Sequence, residues 1–119
     1  MKSITSVLIL FILTLGCAQS TSKPITEFSQ NDIENGILVD VRTPEEYNAG
    51  HLENAMNIDW FDETFAQQFK KIAKDETIYV YCKMGGRSAK AQEKLKTLGY
   101  TKVINLEGGY DAWKEATPD

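Results

Sequence analysis

The chain has few residues that could build a metal site or a disulfide framework. Among its 119 residues are two cysteines, Cys17 and Cys82, and one histidine, His51. A structural or catalytic metal site takes three or four closely placed ligands, so we expect neither a metal nor another cofactor. If Cys17 is used elsewhere, as argued below, Cys82 is left without a cysteine partner.

The sequence also lacks a basic block. Thirteen Lys and Arg residues stand against seventeen Asp and Glu, which gives a formal net charge of −4. Nucleic-acid binding depends on clustered positive charge, so nucleic acid is not expected as a partner. With 42% hydrophobic and 25% charged residues, the composition is that of a globular protein. The length allows one domain.

No apolar run is long enough to cross a membrane. The unbroken run from Val7 to Leu13 follows Met1-Lys2-Ser3 and precedes small residues and the polar stretch from Gln19 to Lys23. A spanning helix needs about 20 apolar residues. A charged start, a short apolar core and small residues are instead typical of a signal peptide. We therefore expect export to the periplasm or cell envelope.

The cleavage site has two interpretations. Leu13-Thr14-Leu15-Gly16-Cys17 resembles a bacterial lipobox, which implies cleavage after Gly16 and lipidation of Cys17. No Asp follows Cys17, so the resemblance implies an outer-membrane anchor if the host has that membrane, and no other membrane contact. Cleavage after Ala18 is the alternative, because Gly16-Cys17-Ala18 also has small residues at the required spacing. The predicted organisation is a signal peptide over residues 1–17, a tether over 18–24 and a domain over 25–119.

Beyond Pro24, strand-like and helix-like segments alternate. The strand candidates are short runs of apolar and β-branched residues: Ile37–Val41, Ile78–Cys82 and Lys102–Leu106, with Ala55–Ile58 and Ile25–Phe28 as weaker ones. Near-continuous apolar runs suit strands that are buried on both faces of a parallel sheet.

Three segments between the strands have helical features. Thr43-Pro44-Glu45-Glu46 places an N-cap, a first-turn proline and acidic residues at a helix start. Apolar residues recur at helical spacing at Phe61, Phe65, Phe69 and Ile72, and again at Ala91, Leu95 and Leu98, where Gly99 supplies a stop. Strands that alternate with helices predict an α/β fold: three layers, with a mainly parallel sheet covered by helices on both faces.

The loop Cys82-Lys83-Met84-Gly85-Gly86-Arg87-Ser88 carries the clearest chemical signal. It follows the most apolar strand and precedes a helix, and ligands in such sheets bind outside the carboxyl ends of the strands. Gly85 and Gly86 allow backbone N–H groups to turn inward. Those amides, the helix N-terminus and the cations Lys83 and Arg87 all favour a thiolate at Cys82.

A thiolate beside an anion pocket serves two chemistries. It can take the outer sulfur of a donor such as thiosulfate, or it can attack a phosphate ester. Four residues separate Cys82 from Arg87, whereas phosphatase loops of this type have five. The shorter ring suits one extra sulfur better than a phosphoryl group. A phosphatase also needs a general acid, and the sequence does not say whether Asp40, Asp59 or Asp62 is near.

Further motifs support a resemblance to a known family. They are Asp40-Val41-Arg42, Glu46-Tyr47, Gly50-His51-Leu52, Ala55-Met56-Asn57-Ile58, and Leu106-Glu107-Gly108-Gly109 with Trp113 four residues on. In this order and spacing, and with the cysteine loop, the chain resembles a single-domain rhodanese, the thiosulfate sulfurtransferase-like family. One departure is Asn54, where the family often has Gly; Asn tolerates the same left-handed backbone.

The resemblance implies a five-stranded, mostly parallel sheet, Cys82 as the carrier of a persulfide, and a binding cradle made by residues Lys83 to Ser88. Asp40 and Arg42 are interpreted as an architectural ion pair. His51 is interpreted as structural, because a persulfide mechanism needs no general base. Gly108 and Gly109 are expected to allow a tight turn into the last helix.

Three functional hypotheses follow. The first is a sulfurtransferase that moves sulfane sulfur through Cys82 from a small donor to a thiol or cyanide. The second is a small phosphatase or arsenate-reductase-like enzyme, which the short loop disfavours. The third is a binding or redox-relay module that uses the same loop. The sequence names neither the physiological donor nor the acceptor.

Overall fold

The computed structural model describes residues 21–118. Five parallel strands form one sheet in the order β1-β5-β4-β2-β3. The strands are β1 Ser22–Pro24, β2 Gly36–Asp40, β3 Met56–Asn57, β4 Thr77–Tyr81 and β5 Lys102–Glu107. The α-helices are α1 Pro44–Ala49, α2 Phe65–Gln68, α3 Gly86–Thr97 and α4 Gly109–Ala116. Short 3-10 helices span Ile25–Glu27, Gln30–Asn35 and Phe69–Lys71. The predicted α/β class and five-stranded parallel sheet are confirmed.

Two apolar clusters lie on opposite faces of the sheet and give the predicted three layers. The first contains Val39, Val80, Phe65 of α2 and Leu95 of α3. The second contains Leu38 and Tyr81, with Tyr47 of α1 and Trp113 of α4 packed against it. Because successive strand residues point to opposite faces, β4 directs Ile78 and Val80 toward α3 and directs Tyr79 and Tyr81 toward α1 and α4.

The tether prediction is wrong for its last residues, because Ser22–Pro24 form strand β1. Ser22, Lys23 and Pro24 pair in parallel with Asn105, Leu106 and Glu107 of β5, and the amide of Asn105 donates to the carbonyl of Thr21. A short polar segment with a proline is suited to a sheet edge, where one side needs no ladder. The strand predicted at Ile25–Phe28 is also wrong, since Ile25–Glu27 is a 3-10 helix.

The prediction that Phe61, Phe65, Phe69 and Ile72 form one buried helix face is wrong for Phe61. Phe65, Phe69 and Ile72 are buried, but 66% of Phe61 is exposed. Asp59 accepts the amide of Phe61, and Asp62 accepts the amide and hydroxyl of Thr64. These side-chain-to-backbone turns compete with helix formation, so α2 begins only at Phe65.

Two other local predictions are confirmed. Thr43 caps α1 and exchanges hydrogen bonds with Glu46 in a capping box. Asn54 has a φ of 66°, the left-handed backbone that Asn tolerates. The predicted signal peptide, lipobox and lipidation of Cys17 lie outside the described residues. Among residues 21–118, no helix is both long and apolar enough to span a membrane.

Candidate active site

The carboxyl ends of three strands bring the motifs of the sequence together. Asp40 at the end of β2 is aligned with Tyr81 at the end of β4, and β5 lies on the other side of β4. The segment after β4 begins with Cys82, and the segment after β5 begins with Gly108. Cys82 faces α3 as part of the first core cluster, and only 1% of it is exposed.

Hydrogen-bonding groups surround the sulfur of Cys82. The amide of Gly85 donates to Sγ at 3.0 Å, and Ser88 Oγ lies 3.4 Å from Sγ. Gly85 can turn its amide inward because its φ is 118°, a conformation that glycine adopts at low cost. Gly86 follows it as the first residue of α3. The sulfur therefore sits at the N-terminus of α3, as the loop sequence predicts.

These donors control the ionisation of the thiol. Burial alone would raise the pKa of Cys82, but hydrogen bonds from the Ser88 hydroxyl and the backbone amides of Ser88, Gly85 and Met84 outweigh it and lower the pKa below its ordinary value. The thiolate is the nucleophilic form of cysteine. These donors thus prepare a buried sulfur for attack on an electrophile.

Replacing Ser88 with alanine is expected to shift the pH profile of Cys82 alkylation by iodoacetamide to higher pH. The hydroxyl stabilises the thiolate, so its loss favours the thiol. The measurement is made in a Cys17→Ser background, which leaves one cysteine. Thr97→Ala, which removes an exposed hydroxyl at the far end of α3, should leave the profile in place. An unchanged profile for Ser88→Ala would refute the proposed role of the hydroxyl.

The two cations of the loop are both paired. Arg87 donates to Glu46 of α1 from both terminal nitrogens, at 2.7 and 2.9 Å. This guanidinium lowers the pKa of Glu46 to about 2, so the carboxylate stays ionised at any pH where a thiolate forms. Lys83 contacts Asp111 of α4 at 2.6 Å. Both pairs tie the loop to helices on the opposite face of the sheet.

The N-terminus of α4 rests directly on the start of the loop. The amide of Tyr110 donates to the carbonyl of Cys82 at 2.8 Å, and the amide of Asp111 donates to the carbonyl of Lys83 at 3.0 Å. Gly108 and Gly109 have φ angles of 90° and 63°, which confirms the predicted tight turn. The first amides of α4 lack partners within the helix, and here the loop carbonyls supply them.

Gly109→Ala is expected to lower the stability of the domain by about 2 kcal/mol or more. An added Cβ would lie 2.5 Å from the carbonyl carbon and oxygen of Lys83 and 2.6 Å from the carbonyl oxygen of Cys82. Helix α4 must then move away from the loop. Gly86→Ala is the matched control, because nothing lies within 4 Å of its added Cβ. Thermal unfolding that affects both variants equally would contradict this account.

Asp40 and Arg42 form a buried pair at the end of β2. The Asp40 carboxylate accepts the backbone amide of Arg42 at 2.9 Å and its guanidinium at 2.7 to 3.1 Å. Arg42 also donates to the carbonyl of Gly50 at 2.7 Å and lies 4.3 Å from the ring centre of Tyr110. The pair thereby joins β2, the Gly50 turn and α4. Because both Asp40 oxygens are engaged, this carboxylate is not available as a general acid.

His51 is held against α1. Its Nδ1 is 2.9 Å from the carbonyl of Tyr47, and its ring stacks on the Tyr47 ring with centres 3.6 Å apart. Both contacts are with α1. Among residues 21–118, no group of three or more His, Cys, Asp or Glu side chains is placed to hold a metal ion.

A cavity of about 350 Å³ gives access to the sulfur. It is lined by Cys82, Lys83, Met84, Gly86, Arg87 and Lys90. Met84 is 73% exposed. Phe61, the other exposed large apolar residue of the described chain, lies 5.7 Å from the Arg87 guanidinium carbon.

The sequence interpretation missed Glu46, Asp111 and Lys90 as site residues. Of these three, only Lys90 could have been recognised from the nearby sequence, because it follows Arg87 by three residues on the same predicted helix.

Fold and site together define a class: an α/β protein that holds one cysteine inside a ring of amide donors at the carboxyl edge of a parallel sheet. A family model described as the rhodanese-like domain matches residues 25–116, and the chain belongs to this family.

Individual relatives agree with this assignment. The chain is 37% identical over 82 residues to a sulfurtransferase of Allochromatium vinosum, covering 69% of this chain and 75% of the relative. The human single-domain sulfurtransferase TSTD1 has a similar structure, with a TM-score of 0.66, 29% identity, and coverage of 85% of this chain and 99% of that one.

The adenylyltransferase and sulfurtransferase UBA4 of Candida albicans is 34% identical over 116 residues, or 83% of this chain. The chain spans 26% of that protein's length, and between 52% and 59% of two other curated relatives.

Proposed function

We propose that this protein is a sulfurtransferase that accepts sulfane sulfur on Cys82 and passes it to a thiol or to cyanide. The observation that carries the proposal is the buried Cys82 sulfur, which accepts the Gly85 amide at 3.0 Å and faces the Ser88 hydroxyl. Membership of the rhodanese-like family and the sulfurtransferase relatives support the same reaction class.

The reaction has two balanced steps. In the first, the Cys82 thiolate attacks the outer sulfur of thiosulfate; a new S–S bond forms, the donor's S–S bond breaks, and sulfite leaves with the bonding pair. The enzyme then holds Cys–S–S⁻. In the second, an acceptor thiolate or cyanide attacks the terminal sulfur, and Cys82 departs as thiolate. No proton transfer is required, so neither step needs His51, which is not among the residues that line the cavity at Cys82.

In the persulfide the negative charge lies on the terminal sulfur, which is bonded to the Sγ atom that carried the charge in the thiolate. Backbone amides and the N-terminus of α3 face this region, and both stabilise anions. They therefore lower the energy of the persulfide, and the charge of Arg87 also interacts with the sulfur of Cys82. The same donors serve the thiolate before transfer and the persulfide after it.

A phosphatase is the weaker candidate. A leaving alkoxide needs a general acid, and none of the residues that line the cavity is acidic. Asp40 is held by Arg42, and Asp59 and Asp62 accept backbone amides within their own turns. These contacts argue against all three carboxylates that the sequence offered as acids.

For location, we propose export with lipid anchoring at Cys17, which rests on residues 1–24 of the sequence alone. The test is the mass of the mature N-terminus isolated from membranes of an expressing bacterium. A diacylated Cys17 supports the anchor. A free terminus after residue 18 supports ordinary cleavage, and an uncleaved chain would contradict export.

The direct test of function compares two activities of the purified protein. With thiosulfate and cyanide, we expect thiocyanate to form catalytically. With p-nitrophenyl phosphate, we expect no hydrolysis above background. Phosphate release without thiocyanate would replace the sulfurtransferase proposal with the phosphatase. Neither activity, together with tight binding of a partner protein that survives Cys82→Ser, would favour a binding module.

A further inference from the structure

The three cations that line the cavity differ in their partners. Arg87 is held by both oxygens of Glu46, and Lys83 is held by Asp111. Lys90 lines the same cavity and takes part in none of the ion pairs formed within residues 21–118. Of the three cavity cations, it is the one without a carboxylate of residues 21–118 at ion-pair distance.

The position of Lys90 on α3 directs it toward the mouth of the cavity. It follows Arg87 by three residues in Gly86–Thr97, so the two side chains lie on one face of the helix. Helical side chains lean toward the helix N-terminus, which is the end that holds the Cys82 sulfur. The long flexible stem of lysine extends this reach, and the residue is exposed.

The lack of a carboxylate partner at Lys90 is important because the rest of the molecule does little to attract an anion. The chain has a formal net charge of −4, so its distant field does not attract an anion. The Arg87–Glu46 and Lys83–Asp111 pairs each have a formal net charge of zero, so the carboxylates reduce the pull of both cations on an anion, although Arg87 still interacts with Cys82. An anion that enters the cavity is therefore attracted chiefly by Lys90 and by the amides of the loop.

We propose that Lys90 is the binding residue for the anionic part of the sulfur donor, in place of Arg87 and Lys83. That the anion is a donor rests on the proposed function. For a donor of the thiosulfate class, the sulfonate oxygens contact the Lys90 ammonium while the outer sulfur meets Cys82. Arg87 and Lys83 position the loop through Glu46 and Asp111.

The first test is steady-state kinetics of thiocyanate formation. Lys90→Gln keeps most of the side-chain stem and removes the charge. We expect kcat/KM for thiosulfate to fall about tenfold, with kcat at saturating donor within about twofold of the parent. Lys90→Arg should restore most of the loss. Lys94→Gln, one turn further along α3 and exposed, is the matched control and should resemble the parent.

The second test does not depend on sulfur transfer. Cys82 is alkylated by iodoacetate, which is an anion, and by iodoacetamide, which is neutral, in the Cys17→Ser background. Lys90→Gln should lower the iodoacetate rate and leave the iodoacetamide rate unchanged. Since Coulomb energy scales with charge, a tenfold effect on a dianion corresponds to about threefold on a monoanion. Raising the salt concentration should reduce the difference.

These tests separate the two proposals. If the parent protein forms thiocyanate but Lys90→Gln matches Lys94→Gln in both measurements, the assignment of Lys90 is wrong and the proposed function stands. Equal slowing of both alkylating reagents would also overturn it, because Lys90 would then act on the thiolate. If the parent takes no sulfur from thiosulfate, the function fails for that donor, and the reagent ratio still decides whether Lys90 binds anions.

Discussion

Cys82→Ser is expected to reduce thiocyanate formation by about 10³-fold or more while the domain stays folded. Serine is close to cysteine in size, so the contacts of the 1% exposed side chain with Gly85 and Ser88 can persist. A hydroxyl, however, is not appreciably ionised at neutral pH, and it cannot form a sulfur–sulfur bond. Activity should therefore be lost at the first step of transfer.

The control for this variant is thermal unfolding, which should lie within a few degrees of the parent. A folded Cys82→Ser protein that retains turnover would mean that sulfur is carried elsewhere. The only other cysteine of the chain is Cys17, and Cys17→Ser should keep full activity. Loss of activity in Cys17→Ser instead would move the site away from the α3 loop.

Asp40→Asn is expected to give the largest loss of stability, about 3–5 kcal/mol. The substitution is almost isosteric, but it leaves the charge of Arg42 without its carboxylate partner. Arg42 is 3% exposed and Asp40 is fully buried, so water cannot replace the lost interaction. A domain of this size is typically stable by about 5–15 kcal/mol, so the variant should unfold at markedly lower denaturant concentration.

Glu93→Gln provides a matched comparison on the surface. Its carboxylate lies 3.7 Å from Lys96 with 63% of the side chain exposed, and exposed pairs contribute about 0–1 kcal/mol. Urea unfolding of both variants measures the contrast. Similar small changes for both would contradict the view that the Asp40–Arg42 pair holds the end of β2 together with Gly50 and α4.

Much of the architecture could be predicted because the central strands carry strong local signals. The apolar runs at residues 37–41, 78–82 and 102–106 correspond to β2, β4 and β5, which are buried on both faces. The capping residues Thr43 and Glu46 mark the start of α1, and Gly99 has the positive φ of a helix stop. In each case the residues that determine the structure are close together in sequence.

The errors lie where a distant or competing contact decides the structure. Strand β1 has no strand pattern of its own and exists because β5, more than 80 residues away, offers an edge. Phe61 fits a helical period, yet the carboxylates of Asp59 and Asp62 hold its segment in turns. A period of apolar residues cannot reveal such side-chain competition.

The functional site shows the same contrast between features set by nearby residues and features set by distant contacts. The glycine-rich loop is continuous in sequence, and its Cys82, Gly85 and Ser88 come together as its spacing predicts. The pairing of Arg87 with Glu46 joins residues 41 positions apart, and that of Lys83 with Asp111 joins residues 28 positions apart. The sequence shows these cations beside Cys82, where they are expected to favour a thiolate, but it does not show the carboxylates that hold them.

The most direct test of the central claim is the intact mass of the Cys17→Ser protein after reduction, incubation with thiosulfate and removal of the excess donor. We predict the gain of a single sulfur atom, located by peptide mapping on Cys82, removed by cyanide with release of thiocyanate, and absent in Cys82→Ala. An unchanged mass with thiosulfate and with small organic persulfides, in a protein whose Cys82 is alkylated readily, would contradict the claim that Cys82 carries sulfane sulfur.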